Sequence, residues 1–89
     1  MFLGIVVGTV TATRKADTLS GSKFLLIQPQ KSASEVDKSN VVVAVDLLGA
    51  GTGEGVIVAT GRAARIAIGK DDVPVDAAVI GIVDAGSAR

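Results

Sequence analysis

Hydrophobic and polar residues alternate with a period of two along most of this chain, a pattern typical of β-strands. Turn residues interrupt the alternation at short intervals. The pattern predicts five strands, near residues 2–13, 22–28, 41–48, 54–60 and 77–84. One helix is predicted near residues 61–67, with Thr60 as its N-cap and Gly69 beyond its end. The fold class that follows is mainly β: a small five-stranded OB-like β-barrel with one short helix.

Two segments depart from simple alternation. Pro29 is predicted to end the second strand, because proline has no N–H to donate to a sheet. Residues 30–40, rich in charged residues and serine, are predicted to form a solvated loop. Residues 41–48 are nearly all apolar, which indicates a strand that is buried on both faces or lies in a subunit contact. The chain contains no repeat or linker, so residues 1–89 are predicted to form a single domain.

Alternating glycines mark the segment between the third and fourth predicted strands. Gly49, Gly51, Gly53 and Gly55 would weaken a regular strand, so the backbone is expected to turn sharply there or to pack against another backbone. A phosphate-binding loop is disfavoured. Glu54 stands where a dinucleotide fingerprint needs its third glycine, the Gly-Lys-Ser/Thr of a P-loop is missing, and a strand rather than a helix follows.

Composition and charge narrow the function. The chain has fourteen Val, seven Ile and six Leu but two Phe and no other aromatic residue. This aliphatic content exceeds what one small core is expected to hide, which favours a subunit interface. Nine basic and nine acidic residues cancel, so neither nucleic acid nor a membrane surface is an expected partner. The first thirteen residues are too short to span a bilayer, and the chain is expected to be soluble and cytoplasmic.

The residues that remain for chemistry are few, because histidine and cysteine are absent. Asp46 and Glu54 flank the glycines and are candidates for a paired carboxylate site. The alternative is that Glu54 accepts amides of its own loop and that Asp46 pairs with Arg62 or Arg65. The adjacent pair Asp71 and Asp72 is a weak candidate for a divalent ion, and the two arginines are a weak candidate for an anion. We expect no enzyme, no catalytic residues, no cofactor and no metal.

Several motifs together resemble one known family, the bacterial microcompartment vertex proteins of the EutN/CcmL type. The matching stretches occur in the expected order over nearly the whole chain: GIVVGTV at Gly4–Val10, KFLLIQP at Lys23–Pro29, VDLLGAGTGE at Val45–Glu54, GRAAR at Gly61–Arg65 and PVDAAVIGIVD at Pro74–Asp84. The resemblance implies a structural shell protein that forms a homopentamer and caps the fivefold vertices of a microcompartment shell. Its implied partners are further copies of itself and the hexameric shell proteins.

Two hypotheses therefore remain at the level of sequence. The first is the pentameric shell protein in the cytoplasm, in the shell of a microcompartment. The alternative is an OB-type oligonucleotide-binding module, which the neutral charge and the scarcity of aromatic residues disfavour. In the pentamer, the expected axial loop or subunit interface comprises Gly49, Ala50, Gly51, Thr52, Gly53 and Glu54. A solvent-exposed hairpin turn is the alternative interpretation of these six residues.

Overall fold

A computed structural model describes residues 1–11, 23–32, 35–37, 39–69 and 74–84. The described chain contains β1 (Phe2–Val10), β2 (Phe24–Ser32), β3 (Glu35–Val36), β4 (Val42–Asp46), β5 (Gly55–Thr60), α1 (Gly61–Ile68) and β6 (Ala77–Ile82). The predicted residues 12–13 of the first strand, residue 22 of the second, and Asp71 and Asp72 lie outside the described residues.

Five of these strands close into a barrel. The hydrogen-bonded order is β1, β5, β6, β4 and β2, and β2 pairs with β1 to complete the circle. Four of the five pairings are antiparallel, and the pairing of β4 with β6 is parallel. The fold class predicted from the sequence, a mainly β five-stranded barrel with one short helix, is confirmed.

The segment around Pro29 differs from the prediction. β2 continues through Pro29 to Ser32, and the two-residue strand β3 pairs with it inside the segment predicted to be a loop. The Pro29 carbonyl accepts the Asp37 amide at 2.7 Å, so this residue's backbone polar groups face β3. On its other side Pro29 lies opposite Gly4 of β1, where its own N–H is not required. The missing donor therefore does not interrupt the closure of the barrel.

The core consists of small aliphatic side chains from every strand of the barrel. The largest fully buried side chains are Val6, Ile27, Val56, Val58 and Val79. Buried alanines fill the remaining space, and no polar side chain of the described residues is buried. A five-stranded barrel has a narrow interior, and valine and alanine suit that width.

The helix α1 joins β5 to β6, as predicted, and ends one residue later than expected. Gly69 terminates it in the left-handed conformation (φ +86°), and its N–H donates to the carbonyls of Arg65 and Ile66. Thr60 occupies the N-cap position with extended backbone, but its side chain makes no capping hydrogen bond. Its hydroxyl lies instead 3.4 Å from the amino group of Met1.

Ser39 orders the end of the connection between β3 and β4. Its hydroxyl and its backbone N–H both donate to Oδ1 of Asp37, at 2.6 and 3.1 Å. The hydroxyl contact is the main reason that the pKa of the exposed Asp37 carboxyl is lowered from its ordinary value.

Gly4 allows β1 to approach β2 closely. A Cβ at this position would lie 2.5 Å from Cγ2 of Ile27 and 2.9 Å from the backbone oxygen of Gln28. At Gly8 of the same strand, a Cβ would meet only Cδ1 of Leu26, at an ordinary 3.6 Å. The strand thus tolerates a side chain at one glycine and not at the other.

We predict that Gly4→Ala lowers the free energy of unfolding by about 1–3 kcal/mol, since backbone must move to admit the methyl group. The matched control Gly8→Ala is expected to remain within about 1 kcal/mol of the parent. Urea unfolding at one fixed protein concentration measures both. Equal stability of the two variants would contradict the close approach of β1 and β2.

Candidate functional site

The glycine loop, defined here as residues 47–54, connects the end of β4 to the start of β5. Asp46 is the last residue of β4, and Gly55 is the first residue of β5. The third strand predicted from the sequence extended to residue 48, but Leu47 and Leu48 already belong to the bend. The chain leaves the sheet two residues early because the Asp46 side chain binds the backbone that follows it.

The Asp46 carboxylate is an acceptor for three successive amides of the loop. Its Oδ1 accepts the N–H groups of Leu48 at 3.1 Å, Gly49 at 2.9 Å and Ala50 at 3.3 Å. An aspartate that accepts amides two or more residues ahead forms an Asx-type turn. The partners of this carboxylate are thus amides of the loop that follows it, whereas the alternative interpretation of the sequence paired it with Arg62 or Arg65.

Glu54 holds the far end of the loop. Its Oε1 accepts the N–H of Gly51 at 2.6 Å, while its own N–H donates to the Gly51 carbonyl at 3.1 Å. The interpretation in which Glu54 accepts amides of its own loop therefore describes this residue correctly. Asp46 and Glu54 thus each bind backbone amides of the loop through one carboxylate oxygen.

Hydrogen bonds to β1 attach the loop to the barrel. The N–H of Gly53 donates to the carbonyl of Val6 at 2.8 Å, and the N–H of Val6 donates to the carbonyl of Glu54 at 3.0 Å. The side chain of Val6 lies in the core. One residue of β1 therefore joins the loop to the barrel interior.

The glycines of the loop differ in backbone conformation and in the space around them. Gly49 and Gly53 adopt φ values of +83° and +91°, which favour glycine strongly. Gly51 does not have a positive φ, and a Cβ there would meet only Oε1 of Glu54, at 3.4 Å. Within a single subunit, Gly51 is therefore the glycine that a larger residue could replace.

The loop residues also differ in exposure. Ala50 is buried and belongs to the core cluster. Gly49, Gly51, Thr52, Gly53 and Glu54 are exposed. Ala50 thus anchors the middle of the loop, and the remaining residues of the predicted site are available to a neighbouring molecule.

A second exposed feature adjoins the loop. Val41 and Val43, before and within β4, are 47% and 51% exposed, and Leu47 and Leu48 are 40% and 50% exposed. We call these four residues the β4 apolar surface. The sequence left two explanations for this apolar run, burial on both faces or a subunit contact. The single chain does not bury both faces.

The other candidate sites carry little chemistry. Among the described residues, no group of three or more metal-binding side chains comes together. Arg62 is exposed on α1, and Arg65 is half-buried one turn later. No helix in the described part of the chain is long and apolar enough to cross a membrane.

Comparison with known proteins assigns the family. The family described as "Ethanolamine utilisation protein EutN/carboxysome" matches residues 1–84. The chain belongs to this family. It is 50% identical over 84 residues to the bacterial microcompartment shell vertex protein GrpN of Rhodospirillum rubrum, covering 94% of this chain and 93% of the relative. It is 46% identical to the carboxysome shell vertex protein CcmL of Thermosynechococcus vestitus, covering 94% of this chain and 84% of that protein.

A solved structure extends the likeness to three dimensions. The pentameric microcompartment shell protein GrpN of Rhodospirillum rubrum superposes with a TM-score of 0.81. That alignment covers 94% of each chain at 43% identity. The family resemblance noted in the sequence is thereby confirmed.

The part of the site that sequence reasoning missed is the role of Asp46. Its signal was present: an aspartate at a strand end, followed by a glycine-containing segment, is typical of an Asx turn. The charge of Asp46 suggested a catalytic or ion-pairing group, whereas its role is to accept backbone amides.

We predict that Gly53→Ala lowers the free energy of unfolding by about 1–2 kcal/mol, because φ near +90° is unfavourable for a residue with a Cβ. No atom lies within 4 Å of the new methyl group, so the loss is conformational rather than steric. Gly53→Asn is expected to lose less, since asparagine tolerates left-handed backbone better. Urea unfolding compares the two, and an alanine variant as stable as the parent would contradict the assigned φ.

Proposed function

We propose that this protein is a structural shell protein that assembles into a homopentamer at the fivefold vertices of a bacterial microcompartment. Membership of the EutN/CcmL family and the likeness to a pentameric shell protein support this function. The carboxylates of Asp46 and Glu54 bind backbone amides of the glycine loop, which supports a structural role for both residues. The protein would act inside the cytoplasm, as part of the shell.

The observation that carries the proposal is the β4 apolar surface. Val43 of β4 and Leu48 of the glycine loop each leave about half of their surface in water. Covering such side chains with another subunit removes apolar area from water at roughly 25 cal/mol per Å². A cyclic ring joins two different surfaces of each subunit, and it closes only at one rotation angle. The geometry of the subunit contact would therefore determine whether a ring of five can form.

The partners that follow are further copies of this chain and the hexameric shell proteins. A flat layer of sixfold tiles cannot close into a polyhedron, and a fivefold tile supplies the missing curvature. The alternative, oligonucleotide binding, needs aromatic side chains and a basic groove. The chain has two Phe, no Tyr or Trp and zero net charge, which does not favour that function.

We further propose that the exposed residues of the glycine loop, Gly49, Gly51, Thr52, Gly53 and Glu54, lie near the fivefold axis or in the subunit contact. Ala50 would take part through its backbone, since its side chain belongs to the core of its own subunit. The exposure of Leu47 and Leu48 at the start of the same loop supports this placement, because one contact would cover these leucines and the glycines that follow.

Native mass spectrometry tests the proposed function. We expect one discrete species with five times the mass of the chain at micromolar concentration. A monomer or a stable dimer would refute the pentamer. Binding of a single-stranded oligonucleotide that weakens with salt would favour the alternative function.

The variant Val43→Asp is predicted to dissociate the pentamer, because a carboxylate buried in a subunit contact without a partner is strongly unfavourable. The expected rise in the dissociation constant is about tenfold or more. The control Thr9→Asp introduces the same charge at an exposed polar position of β1. Native mass spectra over a dilution series compare them. A Val43→Asp pentamer that survives dilution as well as the parent would exclude Val43 from the contact.

The variant Gly51→Val tests the placement of the loop. Within one subunit the added side chain meets only the flexible end of Glu54, so the barrel is expected to fold. At a crowded axis the same side chain would weaken each contact by about 1–3 kcal/mol. Thr9→Val, which places the same side chain at an exposed position of β1 outside the loop, is the control. An unaltered Gly51→Val pentamer with an unchanged melting temperature would favour the exposed hairpin turn instead.

A further inference from the structure

Asp46 controls the path of the chain between the barrel and the glycine loop. Its backbone still belongs to the sheet, with its N–H donating to the Lys23 carbonyl at 2.8 Å and its Cα paired with Val79 of β6. Its side chain binds the first half of the loop through Leu48, Gly49 and Ala50. The residue therefore transmits the fixed position of β4 to a segment that has left the sheet.

The glycine loop needs such a constraint. Glycine loses more conformational freedom on ordering than other residues, and the loop contains Gly49, Gly51 and Gly53 within five positions. A loop that ordered only on subunit contact would subtract this entropy from the association free energy, once for each subunit. A loop ordered beforehand avoids that loss, which is the general advantage of preorganisation in binding.

Hydrogen bonds to an ionised carboxylate are well suited to this task. They are about twice as strong as neutral ones, and one oxygen of Asp46 accepts three N–H groups that the departure from the sheet would otherwise leave to water. The same bend leaves Leu47 and Leu48 exposed at the edge of the loop. The Asp46 side chain thus determines how two members of the β4 apolar surface are presented.

We propose that Asp46 is a positioning residue for ring assembly: it orders the glycine loop, and with it Leu47 and Leu48, before subunits meet. Glu54 assists at the far end of the loop through its contact with the Gly51 amide. This inference rests on the proposed pentamer, but it concerns the free subunit, whose loop can be examined separately.

The experiment has two readouts on Asp46→Ala, Asp46→Asn and the parent. Hydrogen exchange, followed by mass spectrometry at a dilution where the chains are monomeric, reports the order of the loop. Native mass spectrometry over a concentration series reports assembly. The control Asp76→Ala removes an exposed aspartate whose carboxylate is not an acceptor for the loop amides.

We expect Asp46→Ala to speed exchange of the loop amides by about tenfold or more, while exchange in the barrel strands stays as in the parent. The dissociation constant of the ring should rise by roughly the same factor. Asparagine keeps an oxygen acceptor without the charge, so Asp46→Asn should restore part of both effects. If Asp46→Ala folds poorly, Glu54→Ala is the second test, because it removes the one side-chain hydrogen bond to the Gly51 amide. We expect smaller increases in loop exchange and in the dissociation constant than for Asp46→Ala.

Unchanged loop exchange in Asp46→Ala would overturn the inference, and so would a looser loop in a ring that dissociates at the parent's concentration. Loss of assembly that Asp46→Asn does not relieve would also contradict it. Failure of the proposed function looks different, because the parent itself would then form no pentamer at any concentration, whatever its loop exchange shows.

Discussion

The structure depends on the ability of β1 to hydrogen bond with two strands at once. β1 pairs with β5 through Phe2–Ile5 and with β2 through Gly4–Val10, and this double pairing turns a sheet into a closed barrel. The close approach requires glycine at position 4, and the register shift between Val6 and Gly8 bends the strand. Closure fixes the narrow interior, and the narrow interior limits which side chains can be buried.

A limited interior explains why apolar residues remain outside. Valine, alanine, Leu25 and Ile27 fill the space between the strands, while Val43, Leu47 and Leu48 remain 40–51% exposed. A monomer of this composition therefore leaves many large apolar side chains exposed to water. Part of this exposed apolar area, Leu47 and Leu48, belongs to the glycine loop itself, so a subunit contact at the loop would cover it.

Most of the fold could be predicted from residue patterns. The strands, the helix and the turns follow from local periodicity and from the conformational freedom of glycine. The extension of β2 through Pro29 could not, since it depends on which side of the strand the missing N–H faces. The difference between Gly51 and Gly53 is likewise invisible in sequence, because only the backbone angle separates them. The role of Asp46 was predictable in principle, but a carboxylate near glycines also suggests chemistry, and local hydrogen bonding decided between the two.

The contact between Met1 and Thr60 has a practical meaning for the assembled shell. β5 begins at the glycine loop and ends at Thr60, so its six residues separate the two ends of the barrel by roughly 20 Å. The amino terminus lies at the helix end of that strand, remote from the loop. A reporter or enzyme fused ahead of Met1 would therefore emerge from the far end of each subunit, leaving the glycine loop unobstructed. In the proposed pentamer, such fusions would display five copies of a cargo around one vertex.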